Sequence, residues 1–241
     1  MLESLLANES IPEGRYFVIR CDVRRFGKLI KKAGYSGYKK DFHKKLVEVA
    51  KKTIENVLFS GFAYIFSDEI SFILPPSFNL YSRRVEKIMS VVPAYASGEG
   101  SLLFYELDMS PIVFDAKIFI CEDMDKVLEY LLERKSLCFR NYVSFEYGEY
   151  RKRIGESGPV NGISLREMTD VLLKNGLDVY NQPYWKRLGT MVRFEYYKKR
   201  VHQSLFGPSI EVTRRRLISV KPEFDVRVLS EWLDRGGVDE G

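Results

Sequence analysis

The chain has 241 residues, 45% of them apolar and 14% aromatic, with 38 Lys and Arg against 33 Asp and Glu. This composition excludes a disordered or low-complexity polypeptide, and the length suits one large domain or a compact domain with appendages. No run of about 18 uninterrupted apolar residues occurs, and the first residues carry neither a basic start nor an apolar stretch, so the expectation is a soluble, cytoplasmic protein. Cys21, Cys121 and Cys138 are odd in number and too scattered for a zinc site, and read as reduced core residues.

In chain order, residues 1–14 read as an N-terminal arm closed by Pro12 and Gly14. Arg15 to Val23 is a continuous apolar run typical of a buried strand, and it ends in Asp22. Asp41 to Leu58 places Phe42, Leu46, Val49, Ala50, Ile54, Val57 and Leu58 at helical spacing. Phe62 to Leu74 reads as two strands meeting at a tight polar turn that carries Ser67, Asp68 and Glu69. Ser82 to Ala96 predicts a second helix, and two strands are expected near Leu102 to Leu107 and Ile112 to Cys121. The order is β-α-β-β-α-β, the arrangement of ferredoxin-like and polymerase-palm domains. The fold class is therefore α+β, with a palm-like domain over residues 15–122 and a helical, basic region over 123–241.

In that topology the first strand and the middle hairpin are neighbours, so Asp22 and Asp68 converge. Paired carboxylates suit Mg²⁺, which prefers hard oxygen ligands and leaves positions for substrate phosphates. Two such ions can activate an attacking oxygen and stabilise a leaving one in nucleotidyl transfer. The bland reading is a strand-end residue and a turn residue with no ligand.

The second half is basic: between Arg134 and Lys221 there are 18 Lys and Arg against 8 Asp and Glu. Tyr147-Gly148-Glu149-Tyr150-Arg151-Lys152-Arg153 and Tyr196-Tyr197-Lys198-Lys199-Arg200 interleave aromatics with cations. That combination can contact RNA phosphates and stack on unpaired bases, although Tyr at helical spacing also packs into cores and cations also solvate helices. Ser164-Leu165-Arg166-Glu167 reads as a capping box. Val226, Val228, Leu229 and Trp232 form one face of a docking helix ahead of a frayed terminus. His43 and His202 are isolated and receive no catalytic role.

The motifs together resemble a known family. Asp22-Val23-Arg24-Arg25-Phe26 is similar to the Asp-Gly-Arg-x-Phe segment, and Ser67-Asp68-Glu69 to the Ser-Asp-Glu motif, of the tRNA(His) guanylyltransferases and their relatives, the 3′ to 5′ polymerases. Further matches follow in the family's order at Arg83 to Ile88, Phe114-Asp115-Ala116-Lys117, Arg134, Phe139-Arg140-Asn141, Pro183 to Gly189 and Thr213 to Arg216. The resemblance implies transfer of a nucleotide, with guanosine the expected one, to a tRNA 5′ end, on tRNA(His) or on a truncated tRNA. In the family, a 5′ phosphate activated with ATP, or carried as a triphosphate, is attacked by the 3′-hydroxyl of an incoming nucleotide, so GTP and ATP are the expected substrates.

It further implies that Asp22, Asp68 and the Val23 carbonyl hold two Mg²⁺ ions, with Glu69 in support. Arg24, Arg25, Phe26, Gly27, Ser67, Arg84, Lys87 and Lys117 would bind nucleotide. Arg134, Arg140, Asn141, Lys186, Arg187, Arg214, Arg215 and Arg216 join the two aromatic-cation clusters as tRNA contacts, and a homotetramer is implied.

Val23 stands where the family has glycine, Ser36-Gly37-Tyr38-Lys39 replaces its Lys-Pro-x-Asp segment, and its His-Ile-Asn-Asn motif is absent. These departures point to the archaeal-type or tRNA-repair branch. A non-catalytic tRNA-binding relative and a palm-domain nucleotide cyclase are the alternatives.

Overall fold

The apolar run after Gly14 forms strand β1 (Tyr16–Val23) in the computed structural model, which describes residues 6, 9–35, 39–156, 158, 162–202 and 209–234. The expected N-terminal arm in part, and the Ser36-Gly37-Tyr38 loop and frayed C-terminus entirely, lie outside the described residues. β1 is central, so alternate residues are buried on opposite faces: Phe17, Ile19, Cys21 and Val23 on one, Val18 on the other. Helices α1 (Phe26–Lys32) and α2 (Lys40–Thr53) follow, α2 running on through a π-turn at Ile54–Leu58.

Strands β2 (Phe62–Phe66) and β3 (Glu69–Leu74) then form the expected hairpin. Helix α3 (Val85–Phe104), strand β4 (Phe114–Cys121) and the 30-residue helix α4 (Met124–Arg153) complete the palm and cross back over it. Helices α5 (Leu165–Lys174) and α6 (Tyr184–Arg187), strands β5 (Thr190–His202) and β6 (Ser209–Val220), and helix α7 (Val226–Asp234) finish the described chain.

The sheet order is β4-β1-β3-β2-β5-β6, with every neighbouring pair antiparallel. Its first four strands are the β-α-β-β-α-β unit read from the sequence. Helices α1, α2 and α3 cover one face, and α4 and α7 the other, where Leu229 and Leu233 of α7 are buried. The second half of α4 builds a satellite core with α5 through Tyr142, Val143, Met168 and Leu172. Ser164 and Glu167 form the predicted capping box at the start of α5, and all three cysteines are free and buried.

Three expectations are corrected. Leu102 to Leu107 is not a strand: Phe104 ends α3, and Tyr105–Leu107 is one 3-10 turn. Ile88, Val92, Ala96, Gly100 and Phe104 are all buried at spacing four, so the helical period continues through a stretch whose composition looks extended. The predicted helix start at Ser82 moves to Val85, because Tyr81, Ser82 and Arg83 all have positive φ.

The second half is also not wholly helical. β5 and β6 extend the palm sheet to six strands, which puts Tyr196 to Arg200 on a two-stranded ribbon. Only Thr190 to Val192 of β5 pairs with β2. The remainder runs roughly 30 Å past it at about 3.3 Å per residue, towards the end of the sheet where β1 begins.

Arg83 holds that end together. Its guanidinium donates to the carbonyls of Ile11, Pro12, Arg15, Pro76 and Phe78 at 2.8–3.1 Å and lies 5.2 Å from the Phe17 ring. Arg83→Ala would leave these acceptors without their donor and should cost at least about 3 kcal/mol of stability. Arg83→Lys should recover little of it, since an ammonium cannot reproduce the planar fork. Urea midpoints for the two variants check this, and a midpoint unchanged in Arg83→Ala would refute it.

Candidate active site

The two-residue turn of the β2–β3 hairpin brings Ser67 and Asp68 beside the end of β1. Ser67 adopts φ 50, its hydroxyl donates to Asp68 Oδ1 at 2.8 Å, and the Val23 N–H donates to the Asp68 carbonyl at 3.1 Å. Val23 itself is extended and buried within β1, so its position makes no conformational demand for glycine. The left-handed residue is Arg25, at φ 57, where the chain turns into α1.

Across the sheet, Asp22 is the direct partner of Glu69 on β3 and of Asp115 on β4. Directly opposed residues share a face, so three carboxylates stand in one row, with Asp68 at the adjoining turn. Burial, and then the charges of Asp68, Glu69 and Asp115, push the Asp22 carboxyl up to about 7. Burial likewise raises Asp68, against the opposing Ser67 hydrogen bond.

Glu69 has a different environment. Arg134 on α4 approaches its carboxylate at 3.2 Å and Arg20 at 3.8 Å, and Ser71 Oγ donates to it at 3.3 Å. Ser71 is in turn 2.7 Å from the Tyr130 hydroxyl. Burial raises the Glu69 carboxyl, with the two guanidinium groups opposing. Glu69 is thus a neutralised anchor beneath the site, while Asp22 and Asp68 lack a comparable cation.

The hard oxygen donors of that pair, in a row where like charge already resists ionisation, fit a divalent cation. Among the described residues no group of three or more His, Cys, Asp and Glu side chains could hold an ion by itself.

Beside Asp68 opens a cavity of ≈470 Å³. Phe26, Gly27, Ile30 and Lys31 of α1 form one wall, and Cys138, Asn141, Tyr142, Phe145 and Glu146 of α4 the other. The α4 residues recur at spacings of three and four, so one helical stripe faces the opening. Trp185 and Lys186 of α6 close it. Gly189 allows that closure: at φ 77, a Cβ there would lie 2.6 Å from the Ile65 carbonyl oxygen, so a side chain would push α6 and β5 off β2. Tyr64 fixes the same turn by donating to the Leu188 carbonyl at 2.7 Å.

Of the residues expected at the nucleotide, Phe26, Gly27 and Ser67 line the cavity with Asp68. Lys117 lies on the same sheet face as Asp22, opposite Arg20 on the exposed edge strand. Arg24 is exposed and 3.9 Å from Asp115. Arg84 and Lys87 are not brought to the carboxylates. They adjoin residues 9–15 at the start of β1, as the Val85 N–H to Glu9 carbonyl bond shows, roughly 23 Å from its end at about 3.3 Å per residue. Arg84 precedes α3 in an extended conformation, so the pair does not share a helix face as its spacing suggested.

Of the expected RNA contacts, Arg134 is corrected to an internal role, because it is buried against Glu69, Glu133 and the Tyr130 ring. Lys186 is paired with Glu146 at 3.1 Å inside the cavity wall. Asn141 and Lys152 also line the cavity, Lys152 paired with Glu149. Arg151 pairs with Glu156 at 2.9 Å and Arg187 donates to the Gln182 carbonyl at 2.7 Å. Arg140 and Arg153 are exposed on α4, and Lys198, Lys199, Arg200, Arg214, Arg215 and Arg216 on the ribbon.

Sequence reasoning missed Arg20, Asp115, Tyr130, Glu146 and Trp185 as members of the site. Asp115, within the Phe114 to Lys117 match, and Trp185, within the Pro183 to Gly189 match, offered a local signal; the others did not. His43 is a core residue, 2.7 Å from Thr190 Oγ1 and packed on Trp185, and burial lowers its pKa to about 4.

Comparison with solved structures gives three likenesses of fold. A bacterial tRNA(His) guanylyltransferase (Thg1)-like protein in complex with GTP matches with TM-score 0.70 and 18% identity over 95% of this chain and 92% of its own. Such a protein in complex with ATP matches with TM-score 0.67 and 20% identity over 76% and 82%. The tRNA(His) guanylyltransferase of Saccharomyces cerevisiae matches with TM-score 0.67 and 19% identity over 76% and 87%. A comparison with curated proteins finds no match. No described helix is long and apolar enough to cross a membrane. Residues 2–122, which include β1 to β4 with Asp22, Asp68 and Glu69, match the family model for tRNAHis guanylyltransferase, and the chain belongs to that family as a nucleotidyltransferase.

Proposed function

We propose that the protein adds a nucleotide to the 5′ end of a tRNA in the 3′ to 5′ direction, with Asp22 and Asp68 holding Mg²⁺. The observation that carries this reading is the convergence of these two under-neutralised carboxylates on a palm sheet, beside an aromatic cavity of ≈470 Å³. Asp22, Asp68 and the Val23 carbonyl would hold the ions, and substrate phosphates would complete their coordination. When bound, the ions supply charge neutralisation for the attacking 3′-hydroxyl and for the departing phosphate group.

The chain's own residues do the rest. Glu69, clamped by Arg134 and Arg20, keeps the ends of β1 and β3 in register, so the two aspartates stay aimed at one point. Phe26, Tyr142 and Trp185 offer apolar surface to a base, and Lys31 and Lys152 offer charge to phosphates. Lys117 stands on the Asp22 face, within reach of a triphosphate or an RNA 5′ end. In the transfer, the 3′-oxygen of the incoming nucleotide forms a bond to the 5′ phosphorus of the tRNA. Pyrophosphate or AMP leaves, and the hydroxyl proton passes to solvent. Residues 15–122 form the catalytic palm in this reading, and residues 123–241 complete the cavity and carry the RNA surface.

The ribbon extends that surface away from the carboxylates. Lys198 and Arg216 are paired with Glu211 and Glu195, and Arg200 stands opposite Glu211, whereas among the described residues Lys199 and Arg214 make no ion pair and face Val212 and Tyr197 across the ribbon. An RNA with its 5′ end at Asp22 and Asp68 would need to reach roughly 30 Å along the ribbon to touch them at about 3.3 Å per residue, which a tRNA body can do. Lys199→Glu with Arg214→Glu should weaken tRNA binding and lower the log–log salt slope by about 1 for each lost phosphate contact. GTP affinity should be unchanged. Salt titrations of tRNA binding check this, and an unaltered slope would remove the ribbon from the interface.

The function is tested with Mg²⁺, labelled GTP, and 5′-monophosphorylated or 5′-triphosphorylated tRNAs, both full-length and 5′-truncated, with and without ATP. Label at the 5′ end of the product supports the reading, and label confined to truncated tRNAs narrows it to templated repair. Salt-sensitive tRNA binding without label would turn it to a non-catalytic relative.

A further inference from the structure

We propose that Glu146 and Lys186 read the base in the cavity and select guanine over adenine, an inference that rests on the nucleotide-binding reading above. Glu146, on α4, and Lys186, on α6, meet at 3.1 Å in the cavity wall, and both are largely shielded, with side-chain exposures of 16% and 30%. The Lys186 ammonium lies 5.8 Å from the ring centres of both Tyr142 and Trp185. A planar ligand packed beside the ammonium against Tyr142 or Trp185 would have the ion pair within reach of its edge.

A carboxylate is out of place in a cavity meant only for phosphates, since it repels them. Asp68 is the other acid in the lining, and metal chemistry accounts for it. Glu146 calls for a ligand group that donates. The guanine edge fits: its N1–H and 2-amino group are donors for the carboxylate, and its O6 accepts from the adjacent ammonium. Adenine reverses both relations, setting its unprotonated N1 against the carboxylate and its 6-amino group against the ammonium. The contact with Lys186 engages Glu146 Oε1, which leaves Oε2 and further ammonium protons to meet the base. Charge-assisted bonds in a shielded site discriminate, because the wrong base leaves Glu146 Oε2 and the spare ammonium protons unmet, the pair itself staying intact. The cavity is thereby assigned to the incoming guanosine nucleotide rather than to an activating ATP.

The plain alternative is that the pair only pins α6 to α4. The two roles separate in equilibrium binding of GTP, ITP and ATP with Mg²⁺ and no tRNA. The wild type should bind GTP at least about tenfold tighter than ATP, with ITP, which lacks the 2-amino group, between them. Glu146→Gln keeps the side-chain volume, and Glu146→Ala removes the acceptor. Both should collapse the GTP-to-ATP ratio to within a few fold, and Glu146→Ala should bind GTP and ITP alike. A wild type without guanine preference, or variants that keep the wild-type ratio whatever their melting temperature, would overturn the inference while leaving nucleotide binding intact. A wild type that binds none of the three would overturn the nucleotide reading and this inference together.

Discussion

Asp22→Asn should raise the melting temperature of the metal-free protein at pH 8 by a few degrees while lowering nucleotide transfer by about 10³-fold or more. The two effects have one cause. Asp22 is half-buried in a row with Glu69 and Asp115 and beside Asp68, and this holds its carboxyl at about 7 against an ordinary 3.8. An acid with a raised folded-state value contributes its full stability below the unfolded value and loses it as pH rises towards the folded one. The wild type should therefore become less stable between about pH 4 and pH 7 through this group, and stay less stable above that. Asparagine carries no charge, so the variant should lack that component of the slope. Mg²⁺ at pH 8 should recover the wild type and leave the variant unmoved. Thermal melts at pH 5 and pH 8 with and without Mg²⁺, alongside the transfer assay, decide the matter. An active variant, or one with the wild-type pH slope, would mean that Asp22 is a strand-end residue with no ion to hold.

Arg134→Ala should cost about 3 kcal/mol, the usual scale for stranding one member of a buried pair. Glu69 is 7% exposed, and Arg134 is its nearer cation, at 3.2 Å against 3.8 Å for Arg20. The remaining guanidinium can compensate only in part. Adding Glu69→Gln to Arg134→Ala should recover most of the loss, because the charge left behind is then removed as well. Denaturant midpoints of the three variants measure the coupling. An exposed RNA contact would behave otherwise, with an unchanged midpoint and weaker tRNA binding. That outcome would return Arg134 to the RNA surface and leave Glu69 without its main support.

The palm was legible because its signals are local. β1, the β2–β3 hairpin and α2 each bury a face whose period can be counted along the chain, and Asp22 and Asp68 sit where two of those elements end. Leu102 to Leu107 misled because its composition is strand-like, while the decisive spacing of Ala96, Gly100 and Phe104 begins upstream. The β5–β6 ribbon misled for another reason. Phe194 still packs into the core, but from Tyr197 to Arg200 every residue is exposed and no alternation marks them as a strand.

Within the site, what sequence could not reach is long-range. Arg134 finds Glu69 across 65 positions, and Lys186 finds Glu146 across 40. Nothing next to Arg134 in the chain separates it from the exposed cations around it. Arg84 and Lys87 are separated from the carboxylates for a similar reason: the helix that follows Arg84 and carries Lys87 begins at the far end of the sheet.

The most direct test of the account is a Mn²⁺ titration in the presence of GTP, followed by electron paramagnetic resonance, for the wild type, Asp22→Asn and Asp68→Asn. Saturable binding by the wild type that is lost in both variants, each still folded, is the predicted result. Equal binding by all three proteins would contradict it, and would mean that the convergence of Asp22 and Asp68 does not make a metal site.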